Sequence, residues 1–290
     1  MTPPLRKGLL GLALLAATAL ALQCHRAPKP APEAKSHGVR RLTDLPYGPS
    51  TEPVNESHLL DVYLPVNASS FPMLLFLHGG SWQGGNKKSY RDLAQRFVRE
   101  GVAVAVMNYR LSPQVQHPAH IQDVARAVAW LHEKMAEWGA DPKNLFVFGH
   151  SAGGHLAALL ATDDTFLKAE KCDLAVVAGV IPISGEYYIK AGQWPGVFGV
   201  DEETARAASP ATYVKPGLPP FLILYAGEES PRVQQDSQAF AKRLTEEKNK
   251  ARSLEIPDRG HASLIHHLAD PNDPAGRVIL EFIHQNRRSD

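Results

Sequence analysis

From Leu60 onward the chain alternates short apolar runs with helix-length amphipathic stretches, and this alternation constrains the fold more than any other feature of the sequence. Strands are expected at residues 60–64, 73–77, 102–107, 145–148, 174–183 and 221–225. In the first, Leu60, Val62 and Leu64 recur at period two, which suits a half-buried strand near a sheet's edge. The others are apolar at nearly every position, as central strands covered on both faces must be. Helical patterns fall between them at 89–99, 121–138, 154–161 and 233–247. Strands alternating with helices argue a doubly wound, mostly parallel α/β sheet. Gly139 is placed to end the long second helix, and Ser209-Pro210 offers an N-cap followed by proline at the first helical position.

The ends of the chain read differently. Arg6 and Lys7 precede a largely apolar run over 8–22, then a Pro-rich polar segment, which is the pattern of a secretory signal. The run is shorter than the ~20 residues a spanning helix needs, so a processed signal is favoured over a permanent anchor. Ala19-Leu20-Ala21 supplies a small-x-small cleavage site, whereas Ala21-Leu22-Gln23-Cys24 resembles a bacterial lipoprotein box in which Gln23 replaces the usual small residue. The expected organisation is a signal over 1–24, a linker over 25–57 and one domain over 58–290, in an exported protein that is periplasmic, secreted or attached to a membrane through its N-terminus. Cys172 is the only other cysteine, which leaves no internal disulfide once Cys24 is removed or lipidated. A formal net charge of +1 provides no field for binding nucleic acid.

The chemistry centres on Gly149-His150-Ser151-Ala152-Gly153. By itself Gly-x-Ser-x-Gly is weak evidence, but here it follows an apolar strand and precedes an Ala/Leu-rich helical run, the setting of a nucleophile elbow. A serine hydroxyl needs a base to take its proton and return it to the leaving group, and histidine suits that by its pKa. His261 follows a strand candidate at 251–256 and precedes the last helix, and it is the expected base ahead of His266 and His267. The acid is expected where the 221–225 strand ends: Glu229 ahead of Glu228, with Asp236 third because it falls inside the next helical pattern. An oxyanion needs preorganised amide donors, assigned to Gly80, Ser81 and Ala152 around the turn His78-Gly79-Gly80-Ser81-Trp82. A proline at position 81, lacking the amide, is expected to cripple turnover without touching Ser151. His117 and His120 with Asp123 hint at metal, but two prolines make this a loop with no further ligand set, so no metal or cofactor is expected. Trp130 and Trp138 are expected to pack a helix rather than form a substrate platform.

Several motifs in order carry a resemblance. Residues 60–65, His78 to Trp82, Asn108-Tyr109-Arg110-Leu111-Ser112-Pro113, Gly149 to Gly153 followed by Gly154-His155-Leu156, and Ser184-Gly185-Glu186-Tyr187 together resemble the esterase/lipase families of the α/β-hydrolase superfamily. In particular they resemble small carboxylesterases of the feruloyl/acetylxylan esterase type and kynurenine formamidases. The resemblance covers roughly residues 58–288 and implies an α/β-hydrolase fold with a short lid over about 186–217. It matches Glu229-Ser230-Pro231 to the families' Asp-Ser-Pro, so glutamate stands where they usually have aspartate, and Ser81 replaces the third glycine of their oxyanion loop. The expected function is hydrolysis of small acyl esters through an acyl-enzyme. The alternatives are an amidase of the formamidase type and a non-catalytic binding protein on a hydrolase fold.

Overall fold

The computed structural model describes residues 1–2, 36–48 and 55–289, and the expectations for the N-terminal signal and Cys24 lie outside the described residues. Eight strands are seen among them: β1 (Val39–Pro46), β2 (Leu59–Pro65), β3 (Phe71–Leu77), β4 (Ala103–Met107), β5 (Ala140–His150), β6 (Val177–Ile183), β7 (Phe221–Ala226) and β8 (Ala251–Ile256). They form one sheet in the order β1-β2-β4-β3-β5-β6-β7-β8. The first two pairings, β1 with β2 and β2 with β4, are antiparallel, and every later pairing is parallel.

Strand alternation divides the core. Met73, Leu75 and Leu77 of β3 share one face with Ala103, Ala105 and Met107 of β4, packing against α2 (Ala119–Lys134) and α3 (Ala152–Thr162). Leu74 and Phe76 share the other with Val104, Val106, Phe146 and Phe148, packing against α1 (Arg91–Arg99) and, far along the chain, the C-terminal helix Pro274–Asn286. Burial on both faces is why these strands read as continuous apolar runs. In register, Leu77 stands opposite Met107 and Gly149, and His150 opposite Ile183, so the carboxyl ends of β3, β5 and β6 finish together. In such sheets ligands bind at this edge.

Three features depart from the sequence expectations. Residues 39–46, assigned above to the linker, form edge strand β1, so the ordered domain begins before residue 58. Between Leu42 and Leu45 the register shifts against Val62 and Leu60, a bulge that includes Asp44 (φ +55°), so Leu42 and Leu45 pack on the same core face although three residues apart, whereas Val39 packs on the opposite face. Strand β2 consequently lies one position in from the edge, and Leu60 to Pro65 are all buried. Its polar residue Asp61 tolerates this because Lys87 and Arg41 both donate to its carboxylate. The apolar run at 174–176 is a 3-10 turn capped by Asp173, whose side chain accepts from the Ala175 amide, and β6 starts after it.

Gly139 does end the second helix in the left-handed conformation (φ +85°). Pro210 opens a short 3-10 turn as expected, but Ser209 does not cap it. Its hydroxyl donates to Ala205 O at 2.8 Å and accepts from the Ile189 amide at 2.8 Å. A short helix, α4 (Thr165–Ala169), follows α3 ahead of β6, and between β6 and β7 the chain forms only short pieces: α5 (Pro195–Phe198), α6 (Glu202–Ala207) and the turn Pro210–Tyr213. This cap buries Tyr187, Val197, Phe198 and Ala208. The remaining helices are α7 (Pro231–Glu246), α8 (His261–His267) and α9 (Pro274–Asn286). Among the described residues no helix is long and apolar enough to cross a membrane.

Candidate active site

Strand β5 ends at His150 and α3 begins at Ala152, so Ser151 alone makes the strand-to-helix turn, with φ +56° and ψ −118°. A non-glycine residue there is strained by about 1–3 kcal/mol. Neighbouring backbone holds it: the Ser151 amide donates to Ile183 O at 2.8 Å, and the His155 amide donates to Ser151 O at 2.9 Å. The flanking glycines are required by crowding. A Cβ on Gly149 would run into the backbone of Gly153, and a Cβ on Gly153 into the carbonyl of Leu77 at the end of β3. Strand, helix and neighbouring strand thus meet with no room for a side chain, and the serine projects from the top of the turn.

The loop after β3 faces this turn. A Cβ on Gly79 would lie 3.1 Å from Ser151 Cβ and 3.0 Å from His150 Nδ1. Gly80 (φ +122°), Ser81 (φ +54°) and Trp82 (φ +58°) are three successive residues at positive φ. The turn is closed by the amides of Gln83 and Gly84, which donate to Gly80 O at 3.0 and 2.9 Å. Among the described residues, the Gly80 and Ser81 amides take no part in these backbone bonds. Ala152, as the first residue of α3, has an amide with no intrahelical acceptor. Behind the loop, Tyr109 donates to His78 O at 2.8 Å, and His78 Nδ1–H donates to Gly79 O at 2.8 Å while its ring stacks on Tyr109 at 4.4 Å. Each carbonyl held backwards turns the amide of the same trans peptide forwards. Burial pulls the His78 ring down to about 4, so it is neutral at working pH.

His261 opens α8, and its Nδ1–H donates to Glu229 Oε1. Glu229 comes from the turn after β7, where its second oxygen accepts from the Ala226 amide at 3.1 Å. Burial pushes the Glu229 carboxyl up, but the bonds from His261 and from Ala226 more than offset this and hold it below the ordinary glutamate range. The carboxylate is 1% exposed, whereas the His261 ring is 46% exposed. His150, next to Ser151 in sequence, brings the imidazole to the turn: its Nε2–H donates to His261 O at 2.9 Å, and the two rings lie 4.7 Å apart. Burial first, and then the His261 charge, lower His150 to about 4.

Other candidates lie apart from this group. Glu228 is exposed, and Asp236 pairs with Arg232 at 3.0 Å. His267 bonds back to Ser263 O in its own helix. His120 meets the Ser112 hydroxyl, His117 packs on Phe198, and Asp123 is committed to Arg110, Arg126 and His58, so the suspected ligand trio is not convergent. Among the described residues no group of three or more His, Cys, Asp or Glu is arranged to hold a metal. Trp130 and Trp138 pack on each other at 5.8 Å and against the core.

Sequence reasoning gave no role to several residues that shape the site. His78 and Tyr109 back the loop, His150 holds the His261 backbone, and Trp82 donates to His155 at 3.2 Å. At the mouth of the cap, Arg232 forms a two-pronged bond to Glu186 at 2.7 and 2.8 Å, tying the start of α7 to the segment after β6. All of these residues except Arg232 stand in or beside the motifs quoted above, which was their only signal.

A family model described as BD-FAE matches residues 60–178. Over 252 residues the chain is 33% identical to the protein named Esterase LipQ of Mycobacterium tuberculosis, covering 77% of this chain and 57% of that protein. The chain thus spans little more than half the length of that relative, and 49% of the probable carboxylic ester hydrolase LipM from the same organism, to which it is 32% identical. It is 28% identical to the kynurenine formamidase of Danio rerio, covering 84% of this chain and 83% of that protein. Among solved structures, Esterase B from Lactobacillus Rhamnosis superposes with a TM-score of 0.71 at 23% identity, covering 85% of each chain.

Proposed function

We propose, from the premise that the chain is an α/β-hydrolase in fold and in its relatives, that it is a serine carboxylesterase acting on small acyl esters. The observation that carries this reading is the Glu229–His261 pair packed, through His150, against a serine held on a strained strand-to-helix turn. In the proposed reaction Ser151 Oγ attacks the ester carbonyl carbon while its proton passes to His261 Nε2. Glu229 fixes the ring and stabilises its charged form, and the amides of Gly80, Ser81 and Ala152 receive the oxyanion. Collapse of the tetrahedral adduct expels the alcohol with the proton from His261, leaving an acyl-Ser151 that water cleaves by the same steps in reverse.

Labelling of Ser151 by a fluorophosphonate, with a fall in turnover of an activated acetyl ester of up to about 10⁶ in Ser151→Ala, is the expected result. Unchanged turnover in that variant would end the reading, and failure of the probe to label native protein would revive a binding role. A second reading, cleavage of activated formamides, is favoured by the formamidase relative that this chain matches over most of both lengths. Rates on an acetyl ester and on an aryl formamide measured side by side decide between them. Export, with lipidation at Cys24 as one route, rests on the N-terminal sequence alone. Fatty-acid labelling of the full chain and of Cys24→Ser tests it.

A further inference from the structure

His155 lies one turn into α3, four residues beyond Ser151, and its side chain is fully buried. Both ring nitrogens are engaged. The Trp82 indole, which can only donate, gives its N–H to Nδ1 at 3.2 Å. Nδ1 therefore carries no proton, and Nε2–H donates to Ala208 O at 2.7 Å. Burial pulls the ring down to about 3, so this tautomer persists across any working pH. These two bonds reach the loop that carries Gly80 and Ser81 and the cap between β6 and β7, while the ring itself is carried by α3, the helix that follows Ser151.

We propose that His155 is a positioning residue for acyl transfer, linking the oxyanion loop through Trp82 to the cap through Ala208, so that the loop's donors are held in place only while the cap is seated. This rests on the esterase reading above. Gly80, Ser81 and Trp82 are three consecutive residues at positive φ, two of them not glycine, so the loop needs an anchor at its far end. Trp82 is that anchor. Its carbonyl accepts from the Ser112 amide at 2.8 Å, and its ring is clasped by His155 at 5.1 Å and by two cap residues, Phe198 at 4.8 Å and Trp194 at 5.6 Å. The indole N–H orients this ring within its aromatic surroundings, and the ring's position sets the adjoining Ser81 peptide. Cap, nucleophile helix and oxyanion donors are thereby mechanically one unit.

The test uses Trp82→Phe, which removes the indole donor while keeping an aromatic ring, His155→Leu, the double variant and His155→Gln, all in the full chain with an activated acetyl ester. Because a 1 Å misplacement of catalytic groups costs about 100-fold, Trp82→Phe is expected to lower kcat by about 10- to 100-fold with KM within about twofold. His155→Leu should fall by a similar factor, the double variant no further than the worse single, and His155→Gln, which offers both an acceptor and a donor, should recover part of the loss. A folded Trp82→Phe with native kcat, or losses that multiply in the double variant, overturns the link. If His155→Leu does not fold, Trp82→Phe decides alone. Native kcat in Trp82→Phe alongside dead Ser151→Ala sinks the positioning role and spares the esterase reading, whereas turnover surviving in Ser151→Ala sinks both.

Discussion

Two adjacent glutamates, Glu228 and Glu229, sit in opposite surroundings: one is exposed, and the other is buried between an imidazole and a backbone amide. Their substitution therefore separates a positional role from a local charge effect. Glu229→Gln should lower kcat/KM by ~10⁴, because the amide cannot hold the His261 tautomer or its charge, while Glu228→Gln should leave it within about twofold. Parallel kcat/KM measurements on one ester check this, and equal losses in the two variants would remove Glu229 from the site. Spacing ranks these residues only narrowly, since neighbours in a turn differ by direction rather than by pattern. The decisive fact, an oxygen seated on the Ala226 amide, belongs to three dimensions. Ser151 and His261 could be singled out as candidates because their surroundings, a strand followed by glycines and a loop before the last helix, leave marks in the sequence. His150 and His155 were not, because a buried neutral histidine has no periodic signature.

At the scale of elements, the junction of β3, β5 and α3 is close-packed backbone. Gly153→Ala would push a methyl group into Leu77 O and force the helix away from β3. A stability loss of at least about 1–3 kcal/mol is expected, with a thermal midpoint lower by several degrees and ester turnover lost. A native midpoint would show that the helix has slack it does not need. The backbone of the proposed oxyanion loop changes how its candidate donors are best probed. At φ +54°, Ser81 lies where proline's ring cannot go, so Ser81→Pro breaks the turn as well as removing the amide. Loss of turnover in that variant cannot be assigned to the donor alone. The central strands were readable from the sequence because burial on both faces writes itself as unbroken apolar runs. Strand β1 was hidden by the bulge at Asp44, and α5 and α6, of four and six residues, are too short for a helical period to emerge.

For the molecule as a whole, buried neutral histidines set the response to acid. Desolvation is the leading cause that lowers His78, His120 and His150 to about 4 and His155 to about 3, all below the unfolded value near 6.5. Above about pH 6.5 both states are neutral and the folded chain has its full stability. Between there and about pH 4 the unfolded chain takes up protons that the folded chain refuses, so stability falls, each ring adding a slope of up to about 1.4 kcal/mol per pH unit. The buried carboxylates Asp61 and Asp123 do not contribute in this window. Burial raises them, but their cationic partners hold both below the ordinary aspartate value, and their stabilisation is lost only at still lower pH. Urea unfolding at pH 7, 6 and 5 should therefore show a midpoint that drops steeply, with a slope corresponding to several protons. A midpoint unchanged from pH 7 to 5 would mean that the folded state accepts these protons. Since His78 bonds within the proposed oxyanion loop, His150 holds the His261 backbone and His155 bonds both Trp82 and Ala208, three of the rings whose protonation opposes folding also hold the candidate site together.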